Sequence, residues 1–155
     1  MKKILALLML ALCFGSCMNN TTTKETPTEE VTVIDTLDSE LLEFMQSFNT
    51  VKDISGIKTE KINIKAFQVN SDACLAYEYE VAGGGYGFYT GPVVFFVLKL
   101  DNLPYDEMIY KGTAYFVGTY TYKTQAGGTK TVKAYFEDYD VACEFIELAN
   151  KIKEQ

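Results

Sequence analysis

The chain is predicted to fold as an α+β domain: an antiparallel sheet of about five strands in a meander, flanked by an N-terminal and a C-terminal helix. Three observations predict it. Five segments between residues 61 and 137 alternate apolar with polar residues or are rich in β-branched and aromatic ones, as half-buried strands are. Helical apolar periodicity lies to either side, over 38–48 and 138–152. A run of strands bounded by helices points to an antiparallel sheet, because a parallel one needs helices between its strands.

In chain order, Lys2 and Lys3 precede an unbroken apolar run from Ile4 to Phe14, followed by Gly15, Ser16 and Cys17. A charged start, an apolar stretch and small residues before a cleavage point make a signal peptide. The run is shorter than the about 20 residues a helix needs to span a bilayer. Phe14-Gly15-Ser16-Cys17 resembles the lipobox of bacterial lipoproteins, with Phe14 where that family usually carries an aliphatic residue. The resemblance implies that residues 1–16 are removed and that Cys17 is acylated. Met18 stands where an aspartate would retain such a protein at the inner membrane, so the resemblance implies the outer membrane of a Gram-negative bacterium. One acyl chain holds a protein only marginally, whereas two or more make the anchor stable.

Residues 17–34 read as the lipidated cysteine and a flexible tether, since Met18 to Glu30 is polar and without apolar periodicity. Residues 35–155 form the single globular domain. It opens with a helix capped by Asp38 or Ser39, in which Leu41, Phe44, Met45 and Phe48 share a face. The strands are Lys61 to Val69, Ala73 to Ala82, Val93 to Leu100, Thr113 to Lys123 and Thr129 to Glu137. Leu75, Tyr77, Tyr79 and Val81 form one face of the second strand, and Cys74, Ala76, Glu78 and Glu80 form the other, implying a wetter flank. Val93 to Leu98 is apolar on both faces, which makes that strand central. Ala126-Gly127-Gly128 marks a hairpin between the last two strands. The closing helix starts near Asp138 or Asp140 and aligns Val141, Phe145, Leu148 and Ile152.

Composition excludes more than it suggests. The formal charge is −7, and without Lys2 and Lys3 twelve lysines face 21 acids, which argues against a nucleic-acid partner. The chain has no His, Trp or Arg. Imidazole-based nucleophile pairs and metal sites are therefore ruled out, and so is the bidentate guanidinium fork. No catalytic residue, metal or cofactor is assigned.

Cys74 and Cys143 both fall off the apolar faces and, in an oxidising compartment, are expected to pair. The glycine-rich stretch 83–91 is a candidate binding loop presenting Tyr86, Phe88 and Tyr89, with Gln125 in the neighbouring hairpin. Glu78 and Glu80 have the spacing of a carboxylate pair but read as a solvated strand face. Glu137, Asp138 and Asp140 read as acids before a helix rather than as a calcium site. The sequence thus predicts a non-enzymatic, lipid-anchored envelope protein, partnered by the membrane and by a protein or glycan, acting as a binding or accessory module. An inhibitor or immunity protein is the alternative, and a carboxylate-dependent hydrolase a more distant one.

Overall fold

The computed structural model describes residues 39–154 apart from 83, 85, 86 and 100. Cys17, the tether and Tyr86 lie outside the described residues. Helix α1 spans Ser39–Gln46 and leads into a three-residue strand, β1, Phe48–Thr50. After a 3₁₀ turn at Ile54–Gly56 come β2 (Lys58–Asn70), β3 (Ala73–Val81), β4 (Gly87–Val97), β5 (Ile109–Lys123) and β6 (Thr129–Phe136). Helix α2 closes the chain at Tyr139–Lys153, and its N-cap is Asp138, whose carboxylate accepts from the amides of Asp140 (2.9 Å) and Val141 (3.3 Å).

The strands form one sheet in the order β1-β5-β2-β3-β4-β6, and β6 returns to pair with β5. The sheet therefore closes into a five-stranded barrel, with β1 as an extra strand on β5. This corrects the expected antiparallel meander of about five strands flanked by an N-terminal and a C-terminal helix. β2, β3 and β4 are joined by hairpins, while the 98–108 segment carries the chain back so that β5 lies beside β2. That is a Greek key. The last gap is filled by β6, antiparallel to β5 but parallel to β4, with Val94 opposite Lys133 and Val97 opposite Phe136.

Closure creates two cores. Ile64, Ala66, Ala76, Phe96, Ala114 and Tyr135, drawn from all five barrel strands, fill the interior. Small residues alternate there with large ones because a narrow barrel has room for few bulky rings. The second core lies outside the wall, where Leu75, Phe95, Val117 and Phe136 meet Leu41 and Met45 of α1 and Phe145 and Ile146 of α2. Both helices thus cover the same side. The double-sided apolar run of β4 is explained by this arrangement: Val94 and Phe96 point into the barrel, Phe95 and Val97 under the helices.

Two backbone features hold the extra strand and the last hairpin. Gly118 has φ +136° at an irregularity in β5, and a Cβ there would lie 2.2 Å from the Asn49 carbonyl oxygen and 2.8 Å from Thr50 Cα. Glycine is what lets β1 cross β5 so closely. Gly127, with φ +82°, completes the turn in which the Thr124 amide donates to Gly128 O at 2.7 Å.

Candidate functional site

The β2–β3 and β5–β6 hairpins both extend beyond their pairing with each other. β2 pairs with β5 only from Lys58 to Lys65, and the β5–β6 hairpin continues to Lys123 and Thr129. Between the two hairpins lies a cleft of about 650 Å³. Gln68 and Leu75 line it from one hairpin, Tyr120, Thr121, Tyr122 and Thr129 from the other, and Phe95 from β4. Glu43 and Gln46 of α1, with Ser47, form its remaining wall.

The rings are held by packing from below. Tyr120 lies 4.1 Å from Phe95 and 4.9 Å from Phe48 between centroids, and Tyr122 stacks on Tyr120 at 6.3 Å and 9°. Burial pushes the Tyr120 hydroxyl above the usual phenol range, so it is a neutral donor at any physiological pH. Thr121 shares a hydrogen bond of 2.9 Å with the Thr131 hydroxyl across the hairpin. The cleft wall is thus built of aromatic faces, amides and hydroxyls, with Glu43 and Lys123 as its charged groups.

Of the residues singled out in the sequence, Phe88 and Tyr89 are exposed but belong to β4 rather than to a loop. Tyr89 makes its ring contacts with Tyr77 and Tyr79, and Gln125 sits exposed in the 124–128 turn. No described contact joins Gln125 to those rings. Glu78 folds over Gly91, where a Cβ would lie 1.9 Å from its Oε2, and Glu80 is exposed. Asp138 caps α2 and pairs with Lys99 at 3.3 Å, and Glu137 accepts from the Lys99 amide at 2.8 Å and from Asn102 Nδ2 at 3.2 Å, so these acids are engaged in tying Lys99 and Asn102 to the start of α2. Among the described residues no group of three or more His, Cys, Asp and Glu converges as a metal site. No described helix is long and apolar enough to cross a membrane.

The disulfide expectation is corrected. Cys74 and Cys143 are free: Cys74 is 1 % exposed inside the barrel, and Cys143 lies on α2, outside it. The face of β3 that carries Cys74 and Ala76 is not a solvent flank but the interior of a closed wall. Burial pushes the Cys74 thiol up to about 12, which keeps it protonated and unreactive in the neutral range. Alkylation of the unreduced native protein is therefore expected to modify Cys143 and spare Cys74, while alkylation after unfolding modifies both. A single unreactive pair after unfolding would restore the bridge.

The sequence reading missed Gln68, Tyr120 and Tyr122. A signal was present, since Tyr120 and Tyr122 share a strand face beside a glycine turn, but only closure of the barrel brings that hairpin opposite Gln68. Compared with known families, curated proteins and solved structures, the chain matches none. The 71–72 and 124–128 turns flank the cleft, and the chemistry of its residues must carry the function.

Proposed function

We propose that the protein is a non-enzymatic, lipid-anchored envelope module whose barrel cleft binds a neutral glycan. The observation that carries this reading is the cleft between the β2–β3 and β5–β6 hairpins, walled by stacked tyrosines, amides and hydroxyls. An oligonucleotide needs clustered positive charge along its backbone. The cleft carries Lys123 with Glu43 in the same wall, and the chain is acidic and has no Arg. A sugar needs instead an aromatic face for its apolar side and neutral donors and acceptors for its hydroxyls. Tyr122, Gln46 and Gln68 supply that set.

The anchor belongs to the same proposal: Cys17 would hold the domain at the membrane by its acyl chains. Cys17→Ala is expected to leave the precursor uncleaved or to free the protein from the membrane fraction. Continued processing and acylation of that variant would refute the assignment. For the cleft, calorimetric titration of the mature protein with neutral β-1,4-linked N-acetylglucosamine oligosaccharides is expected to show binding that Tyr122→Ala weakens about tenfold or more, because a stacked ring contributes on the order of 1–2 kcal/mol. Single-stranded DNA should not bind at physiological salt. Binding of the DNA in place of every sugar would overturn the reading.

A further inference from the structure

The β5–β6 hairpin is the basic part of an acidic chain. From Ile109 to Phe136 there are four lysines, Lys111, Lys123, Lys130 and Lys133, and no acid, in a protein of formal charge −7. Three of them gather at the free end of the hairpin: Lys130 lies opposite Tyr122 in the pairing, Lys123 opposite Thr129 and Lys133 opposite Thr119. β4 pairs with β6 only from Lys133 onward, so beyond that point the two strands stand as an arm of about 13 Å. Its tip is a defined turn, in which the Gly127 amide donates to Thr124 O at 2.9 Å and the Thr124 hydroxyl to Gly128 O at 3.1 Å. Lys123, Lys130 and Lys133 are exposed, and no ion pair among the described residues engages them.

We propose that this arm rests on an anionic phospholipid bilayer and so orients the domain on the membrane. Charge complementarity is the first argument. A lysine close to such a surface raises partition by about fivefold, and three together by about a hundredfold. At physiological salt a bilayer senses charge over only about 8 Å, so lysines at a projecting tip count for more than the net charge of the chain. The carboxylate that shares the cleft with Lys123 is Glu43, one acid against three lysines. Position is the second argument. Helix α1, where the described chain begins, packs beside the arm: Phe44 lies 6.2 Å from Tyr120 between centroids, and Glu43 and Gln46 line the same cleft as Lys123 and Thr129. The chain thus enters the domain on the side where the arm projects. Residues 18–38 extend to at most about 70 Å, which lets a chain anchored at Cys17 bring the arm down to the surface. A nucleic acid would need cations spaced along its backbone, whereas three lysines at one tip suit a plane of headgroups. The proposal is independent of what the cleft binds.

The test separates the arm from the anchor. The mature chain carrying Cys17→Ser, which has no acyl group, is centrifuged with vesicles of equimolar phosphatidylglycerol and phosphatidylethanolamine and, in parallel, with vesicles of phosphatidylcholine alone. It is expected to sediment with the anionic vesicles at low salt, to leave them as salt is raised, and to ignore phosphatidylcholine. The triple variant Lys123→Gln, Lys130→Gln, Lys133→Gln should lose about a hundredfold in partition. The triple variant Lys58→Gln, Lys61→Gln, Lys111→Gln removes the same charge from elsewhere on the barrel and should keep most of it. All six side chains are exposed, and an unchanged melting temperature confirms that each variant is folded. No sedimentation at low salt, equal binding to both kinds of vesicle, or an equal loss in the two variants overturns the proposal. Single-stranded DNA bound through the same three lysines, with no uptake by vesicles, overturns it in favour of a nucleic-acid surface.

Discussion

Ala76→Asp is expected to prevent folding. Ala76 is fully buried and sits inside the barrel, opposite Ala66 on β2 and Val94 on β4. A carboxylate there has no cation within the interior core, which is made of Ile64, Cys74, Phe96, Tyr135 and their neighbours. Removing one ion from water without a partner costs several kcal/mol even after relaxation, and protonation to avoid that cost still leaves two polar oxygens against apolar walls. A domain of this size has about 5–15 kcal/mol in hand, so most or all of its stability is lost. In an open meander whose Cys74–Ala76 face met water, the same substitution would be nearly neutral. Circular dichroism and urea titration of the variant decide between the two, and a midpoint close to that of the wild type would contradict a closed barrel. Thr131→Asp, on the exposed edge of the β5–β6 hairpin, serves as the control for added charge.

Gly118→Ala is the second large effect, with an expected loss of about 3 kcal/mol or more. The cost has two sources. Alanine is strained at φ +136°, and its Cβ would run into the backbone of Asn49 and Thr50, which cannot move aside as a flexible side chain can. The collision falls on the pairing of β1 with β5, in which Thr50 faces Gly118 and Phe48 faces Tyr120. Relief would come by releasing β1 together with α1, so Phe48 would lose its ring contacts with Phe95 and Phe145. Because α1 supplies one wall of the cleft, sugar binding should fall along with stability. Limited proteolysis is expected to cut the variant first within 39–57. A variant that melts within a degree of the wild type, with that segment still protected, would show that β1 does not depend on the close crossing.

Much of the secondary structure was legible because its signals are local. Asp138 caps the last helix as its position predicts, all five strand segments exist, and the apolar double face of Val93 to Leu98 is buried on both sides. Closure was not legible. A strand's two-residue period separates two faces but does not say whether the second meets water or the inside of a barrel. Cys74, Ala76, Ala66 and Ala114 are small, and small residues on a strand look like a solvated flank until large ones such as Phe96 and Tyr135 arrive from other strands to share their volume. The parallel pairing of β4 with β6 joins residues about forty apart in sequence, and no local pattern encodes it. The glycine-rich stretch misled for a related reason. Gly87 and Gly91 looked like loop formers, whereas they make room within β4 for the side chains of Tyr79 and Glu78.

The candidate site was legible only in its chemistry. The acidic balance and the absence of Arg argue against nucleic acid, and a chain without Trp or Arg leaves the proposed recognition to tyrosine and phenylalanine. Its location depended on topology, which moved the candidate cleft from the 83–91 stretch to the space between the two hairpins. The most direct test is an amide chemical-shift map of the isotopically labelled mature protein, titrated with the N-acetylglucosamine tetrasaccharide. The account predicts perturbations at Gln68, Leu75, Thr121, Tyr122 and Thr129, with α2 unchanged. Perturbations confined to α2 or to 98–108, or none at millimolar sugar, would contradict it.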